Sequence, residues 1–337
     1  MTLKTRVAAC AMLLCGAVAQ AQAPYTRFDE APVVDDTGAE GAAWRSWSQR
    51  SAAALAASGQ ARDLALAAAL QTGAQSGEVP VAPAVAVTAD AQSAAWQRDA
   101  AARAAGDVVA NALLAATADA GVRARAAQRW LGAEPQNLAP LLVRGGSVDV
   151  LLADARGATR FDLHMLDRVR WMQSALMRTP PTPVERAAFA DGDDFVTSEH
   201  AAVTAAALWA AAIPDLQPLT DACTASATRG DPGRARDCRH IADLMARRSD
   251  TLLGRLVGLD LLAQLATSPA EHADVRSQQR TAEWMLHEWG RASAALPRDG
   301  AAQFVRLLAD DTLRSEPDLI ARALEEAGVP LTPPPGW

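Results

Sequence analysis

The chain has a single lysine, Lys4, a single tyrosine, Tyr25, and only four cysteines. Its 39 acidic residues outnumber its 32 basic ones. That balance argues against the basic stripe a nucleic-acid partner requires. Long hydrophobic runs are missing as well. Beyond residue 23 the longest, Ala205–Ile213, is far shorter than the roughly 20 apolar residues a membrane span needs. Sparse β-branched and aromatic residues, with no convincing two-residue alternation, speak against a sheet or a barrel. Three catalytic signatures do not occur: a Gly-x-Ser-x-Gly elbow, a phosphate-binding glycine loop and a dinucleotide fingerprint.

What is present begins with an export signal. Lys4 and Arg6 precede an apolar run, Val7–Val18, and two overlapping Ala-Gln-Ala triplets end at Ala21 and Ala23. Charge, short apolar stretch and small-x-small site in that order read as a secretory signal peptide. The expected signal covers residues 1–21, or 1–23 if the second triplet is used, where Pro24 would hinder the peptidase. Removing Lys4 and Arg6 leaves 30 basic residues against 39 acidic ones, all 30 of them arginine, and a net charge near −9. The expected location is periplasmic.

Processing also settles the cysteines. Cys10 and Cys15 leave with the signal, and Cys223 and Cys238 remain as the only pair in an oxidising compartment. Their spacing fits neither a zinc site nor a Cys-x-x-Cys redox motif, so a structural disulfide is expected. Both fall on apolar helix faces. One helix, capped by Asp215, carries Leu216, Leu219 and Cys223; the other, after the Gly230-Asp231-Pro232-Gly233 turn, carries Cys238, Ile241 and Met245.

About a quarter of the chain is alanine, the strongest helix former. Ser268-Pro269-Ala270-Glu271 is a capping box opening a long helix with Val275, Ala282, Trp289 and Leu296 along one seam. Ser315 and Gly328 bracket a last helix with an expected stripe of Ile320, Leu324 and Ala327. Ala201–Ile213 and Leu252–Ala266 are apolar on nearly all sides and should be interior helices. Val79–Val87 is the one strand-like stretch, and Pro80 and Pro83 demote it. The expected fold is all-α, with helical hairpins stacked as an irregular bundle or a short α-solenoid.

Proline and acidic clusters suggest the boundaries. A helical-hairpin region at 22–179 contains a Pro/Val/Ala linker at 71–92. A hinge loop at 180–195 holds Pro180, Pro181, Pro183 and Asp191-Gly192-Asp193-Asp194. A disulfide-bearing helical region follows at 196–328, then a Pro-rich tail at 329–337. Gln49–Ala54 and Gln97–Ala102 echo each other 48 residues apart, each expected to open a helix–turn–helix.

Arg129-Trp130-Leu131 leading to Glu134-Pro135-Gln136-Asn137 resembles the end of a tetratricopeptide-type repeat, without the Trp-x-x-Leu-Gly pattern of such a repeat's first helix. The chain as a whole resembles exported Ala/Arg-rich helical proteins of Gram-negative bacteria, which share a cysteine pair in the second half and a Pro-rich end finishing in tryptophan. That resemblance implies a fold and a compartment but no activity.

Candidate chemistry is thin, and no metal or cofactor is expected. Of His164, His200, His240, His272 and His287, only His287 has ligand-like spacing, to Glu283. The zinc-protease motif fails there, since Glu283 and Arg291 occupy the positions a second histidine would need. Asp191, Asp193, Asp194, Glu199 and His200 form the densest acidic cluster, and Val196 breaks the calcium-loop pattern. Nine tryptophans spread along the chain read as hairpin core residues, or as the lining of a groove for a peptide or glycan. The leading expectation is a non-catalytic scaffold binding another envelope protein or peptide. One alternative is a cell-envelope hydrolase using carboxylates among Asp191, Asp193, Glu199, Glu283 and Glu288; another is a structural envelope component.

Overall fold

The computed structural model describes residues 38–76, 89–189, 195–295 and 300–337. Among them the chain forms sixteen α-helices and no sheet. The first three are α1 (Ala39–Ala57), α2 (Ala61–Ser76) and α3 (Ala91–Arg103), with α2 packed against both neighbours. Short helices follow: α4 (Val108–Leu114), α5 (Ala120–Ala133), α6 (Ala139–Arg144) and α7 (Val148–Asp154). Next come α8 (Met165–Leu176), α9 (Pro183–Phe189) and α10 (Thr197–Ala211), with α8 against α10 and α9 folded back on α1. The last group is α11 (Gln217–Ala222), α12 (Pro232–Arg248), α13 (Leu252–Leu265), α14 (Pro269–Ala295), α15 (Gly300–Ala309) and α16 (Glu316–Glu326). Within it α12 packs on α13 and α13 on α14, in hairpin-like succession. One contiguous apolar core contains residues from Ala43 to Leu324.

Local chemistry accounts for these elements. Asp90, Asp107, Asp119, Ser147, Asp231, Thr251 and Ser315 each accept a backbone N–H at a helix start, satisfying donors that have no partner within the helix. Asp231 caps α12 directly after Gly230, whose positive φ of 82° makes the turn. The Arg229-Gly230-Asp231 tripeptide is thus a helix entrance.

Cys223 and Cys238 are bonded, with their Cα atoms 5.5 Å apart and both residues fully buried. A cross-link across this separation stabilises by about 3 kcal/mol in the chain-entropy view. The bond fastens short α11 to α12. As expected, α10 and α13 are buried on nearly all sides. Val275, Ala282 and Trp289 line the buried seam of α14.

Several expectations differ in detail. Glu271 N–H bonds Ser268 as a capping box requires, but the Glu271 carboxylate reaches the Thr267 N–H. Ala327 is exposed, and the buried stripe of α16 is Leu319, Ile320, Ala323 and Leu324, because the helix ends before position 327 completes another turn. The 49–54 and 97–102 echoes lie inside α1 and α3 rather than at their starts, though each helix leads through a short turn into a second. Residues 71–76 of the linker continue α2, and 183–189 of the hinge form α9. There Trp47 donates to the Thr179 carbonyl at 2.7 Å, Arg178 pairs with Asp63, and Arg50 with Glu185. The export signal, Val79–Val87, Asp191–Asp194 and Leu296 lie outside the described residues.

Two glycines one helical turn apart on α13 allow close neighbours. A Cβ on Gly258 would sit 2.3 Å from the Ala246 nitrogen and 2.7 Å from the Ala242 carbonyl oxygen. One on Gly254 would meet Ser249 Oγ at 2.2 Å and the Phe161 ring at 2.8 Å. Backbone cannot move aside as a flexible side chain can. Gly258→Ala should therefore destabilise the fold by about 1–3 kcal/mol, despite the roughly 1 kcal/mol by which alanine favours helix. Urea unfolding measures this, and a variant as stable as the parent would contradict the close approach.

Candidate functional site

Two places concentrate chemistry, one inward and one outward. The inward one is built around residues 159–163, which cross between two helix ends and form bridges at Arg160 and Phe161. Isolated parallel bridges join Asn137 to Arg160 and Phe161 to Ser249. The Leu138 N–H donates to the Arg160 carbonyl, the Phe161 N–H to that of Arg248, and the Asp250 N–H to that of Phe161. Asn137 extends the pairing with its side chain, donating to the Asp162 carbonyl at 2.8 Å and accepting from the Asp162 N–H at 3.0 Å.

Carboxylates organise this junction. Glu134, just past the end of α5, takes bonds from Trp130, Asn137 and Arg160 and pairs with His164 Nε2 at 2.8 Å. Burial alone would raise its pKa; the bonds from His164, Asn137 and Trp130 prevail and hold it at about 2. Burial likewise opposes charge on His164, but Glu134, Asp162 and Asp250 together raise its pKa. His164 has a left-handed backbone, φ 53°, uncommon for a residue with a side chain. That conformation turns the chain from the crossing into α8 and sets the imidazole between two carboxylates.

Asp250 caps α8 from a distant part of the sequence, accepting the Leu163 N–H at 2.8 Å and the Met165 N–H at 2.9 Å. Its carboxyl end is buried although the residue is partly exposed; burial and the neighbouring Asp162 push its pKa up. Glu316, the first residue of α16, is buried and accepts the Leu252 N–H at 2.8 Å where α13 begins. Burial raises its pKa to about 7, with the charge of Asp250 adding to the shift. Arg168, 2% exposed, carries a charge facing Asp250, and burial lowers its pKa to about 10.

The outward place is on α14. Trp284 donates its indole N–H to the Pro330 carbonyl at 2.7 Å. The Trp337 ring meets Trp284 edge-on at 5.3 Å and lies 6.4 Å from His287. Residues 332 and 334–337 are exposed, and Trp337 keeps 42% of its surface accessible.

The sequence candidates fall as follows. Glu283 and His287 share a face of α14 and are exposed, while Glu288 is buried, bound by Arg291 and touched by His287 Nδ1 at 3.2 Å. Glu199 opens α10, and His200 stacks on Phe189 at 4.4 Å with Trp47 and Phe195 around it, a core position. His240 reaches the Ala158 carbonyl at 3.2 Å, and His272 is exposed. Among the described residues no group of three or more His, Cys, Asp or Glu could hold a metal ion, and no helix is long and apolar enough to cross a membrane. Sequence reasoning passed over Glu134, Asp162, Asp250 and Glu316 as chemistry. The one local hint was Glu134 itself, in the repeat-like Glu-Pro-Gln-Asn stretch. No protein-family model matches this chain, and neither does any curated protein or solved structure.

The junction makes stability fall as pH rises through neutrality. Glu316 is ionised in the unfolded chain above its ordinary pKa of 4.5 but protonated in the fold up to about 7. The folded state therefore binds more protons in that window, and the cost of burying the charge is fully present above it. His164, raised, acts in the same direction. Glu134, lowered, acts oppositely in acid, where its contribution is lost as pH falls from 4.5 toward about 2. Glu316→Gln keeps an acceptor for Leu252 and removes the charge. It should match the parent near pH 4 and exceed it at pH 8 by roughly 1–3 kcal/mol, one pKa unit being 1.36 kcal/mol. Denaturant titrations at both pH values test this, and a variant weaker at pH 8 would contradict it.

Proposed function

We propose that this protein is an exported helical scaffold that binds another protein or a peptide in the periplasm, without catalysis. The observation carrying the reading is the α14 face. There an indole N–H and an aromatic contact hold a proline-rich segment of the chain. Of the hydrolase candidates, Glu288 is bound by Arg291, and the buried acids Glu134, Glu185, Asp250 and Glu316 serve histidine, arginine or helix starts. Export is supported by the Lys4–Ala23 pattern and fits a buried disulfide, which an oxidising compartment maintains. Stacked hairpins with repeat-like ends offer extended surfaces suited to binding.

A photo-crosslinking amino acid placed in turn at positions 287, 337 and 149 of the full chain tests this in cells. Position 149 is exposed and lies on α7. The reading predicts a discrete crosslinked species from 287 and 337 and none from 149. Equal labelling at all three, or none at any, would remove the support for a specific partner.

A further inference from the structure

We propose that the Trp284–His287 face of α14 recognises proline-rich peptides that carry a tryptophan, and that residues 330–337 are its resident, displaceable occupant. This deepens the binding reading above by naming the partner's class.

The resident segment, Pro330-Leu331-Thr332-Pro333-Pro334-Pro335-Gly336-Trp337, has four prolines in eight residues. Each proline fixes its own φ and lacks an N–H, and each residue preceding a proline is biased to extended backbone. The segment bends at Leu331 and Thr332 and closes a turn in which the Trp337 N–H donates to the Pro334 carbonyl. Its prolines restrict it before it docks and so reduce the entropy lost on ordering. A carbonyl left without an internal partner needs a donor, and an indole N–H can only donate. Trp284 donates to the Pro330 carbonyl, on a partner 46 residues away in sequence. Aromatic-lined surfaces commonly hold proline-rich ligands.

The hold is light. One neutral hydrogen bond and one aromatic pair anchor the two ends, each a modest interaction. Leu331 packs partly on the core, whereas Thr332, Pro334, Pro335 and Gly336 face outward. The segment stays in place because it is tethered. A tether of a few residues past α16 supplies an effective concentration on the order of millimolar. A free peptide of the same chemistry should compete only at similar concentration. A partner that also engages exposed His287 and Arg291, each with 62% of its side chain accessible, would compete at lower concentration.

The test uses the full exported chain labelled with 5-fluorotryptophan, the Trp284 and Trp337 resonances being assigned with Trp284→Phe and Trp337→Phe. The probe is an unlabelled synthetic peptide with the sequence of residues 329–337. In the parent, peptide at roughly millimolar concentration should shift Trp284 and move the protein's own Trp337 toward its free position. In Trp337→Ala the resident loses one anchor, and the peptide midpoint should fall about tenfold, the change expected when one modest aromatic contact is lost. Trp337 is an exposed residue, so this variant leaves the core intact. No Trp284 shift in Trp337→Ala, or equal binding by a scrambled peptide, overturns the proposal. A crosslinked partner at 287 whose labelled stretch lacks proline also overturns it, while leaving the binding reading in place. Peptide displacement without any cellular crosslink supports the site and counts against the binding reading.

Discussion

One crossing ties together the starts of four helices in this fold. Residues 159–163 run between the end of α5 and the end of α12, with no sheet to absorb their polar groups. A buried backbone group without a partner costs about as much as a lost hydrogen bond, so each needs an individual one. The partners come from both sides: Asn137 and Glu134 from one, Arg248 and Asp250 from the other. Four helices, α6, α8, α13 and α16, begin around this crossing. Asn137 accepts at the start of α6, Asp250 at α8 and Glu316 at α13, and α16 starts at Glu316 itself, whose N–H bonds the Asp250 carbonyl. Helix starts favour negative charge, which explains how acids can be buried there. Their raised pKa values record that the compensation is incomplete.

The local layer of this architecture was readable in the residues. Alanine content, the serine and aspartate caps, and the apolar stretches 201–213 and 252–266 all report on neighbours within a few residues, and the helices follow them. The cysteine pair was readable for a different reason: the expected export signal takes Cys10 and Cys15, which leaves two candidates and one possible bond. Even there the end of a helix shifted a stripe, so that Ala323 rather than Ala327 is buried.

The junction was not readable, because its pairs span long separations. Asp250 caps a helix that begins 85 residues earlier, and Glu316 meets an amide 64 residues away. In sequence each is an acid among many in an acidic chain. Gly254 and Gly258 are also silent without their neighbours, since nothing local indicates that Phe161 and Ser249 will lie against the one and α12's backbone against the other. His164 sits in a left-handed conformation that composition does not forecast. The outward site was half legible: the prolines and Trp337 announce a proline-rich tail, but its seat on Trp284 depends on tertiary folding. The junction keeps its acids for the chain's own amides and cations, and the α14 face holds the chain's own Pro330–Trp337 segment through Trp284.

The claim that the 159–163 crossing carries the fold is tested most directly by native-state hydrogen exchange at the Leu163, Met165 and Leu252 amides, which donate to Asp250 and Glu316. If the crossing opens only when the molecule unfolds, these amides exchange with the free energy of global unfolding, alongside core amides of α13. Exchange at the rate of surface loops, with α13 still protected, would contradict the account and make the crossing a local ornament on an independently stable bundle.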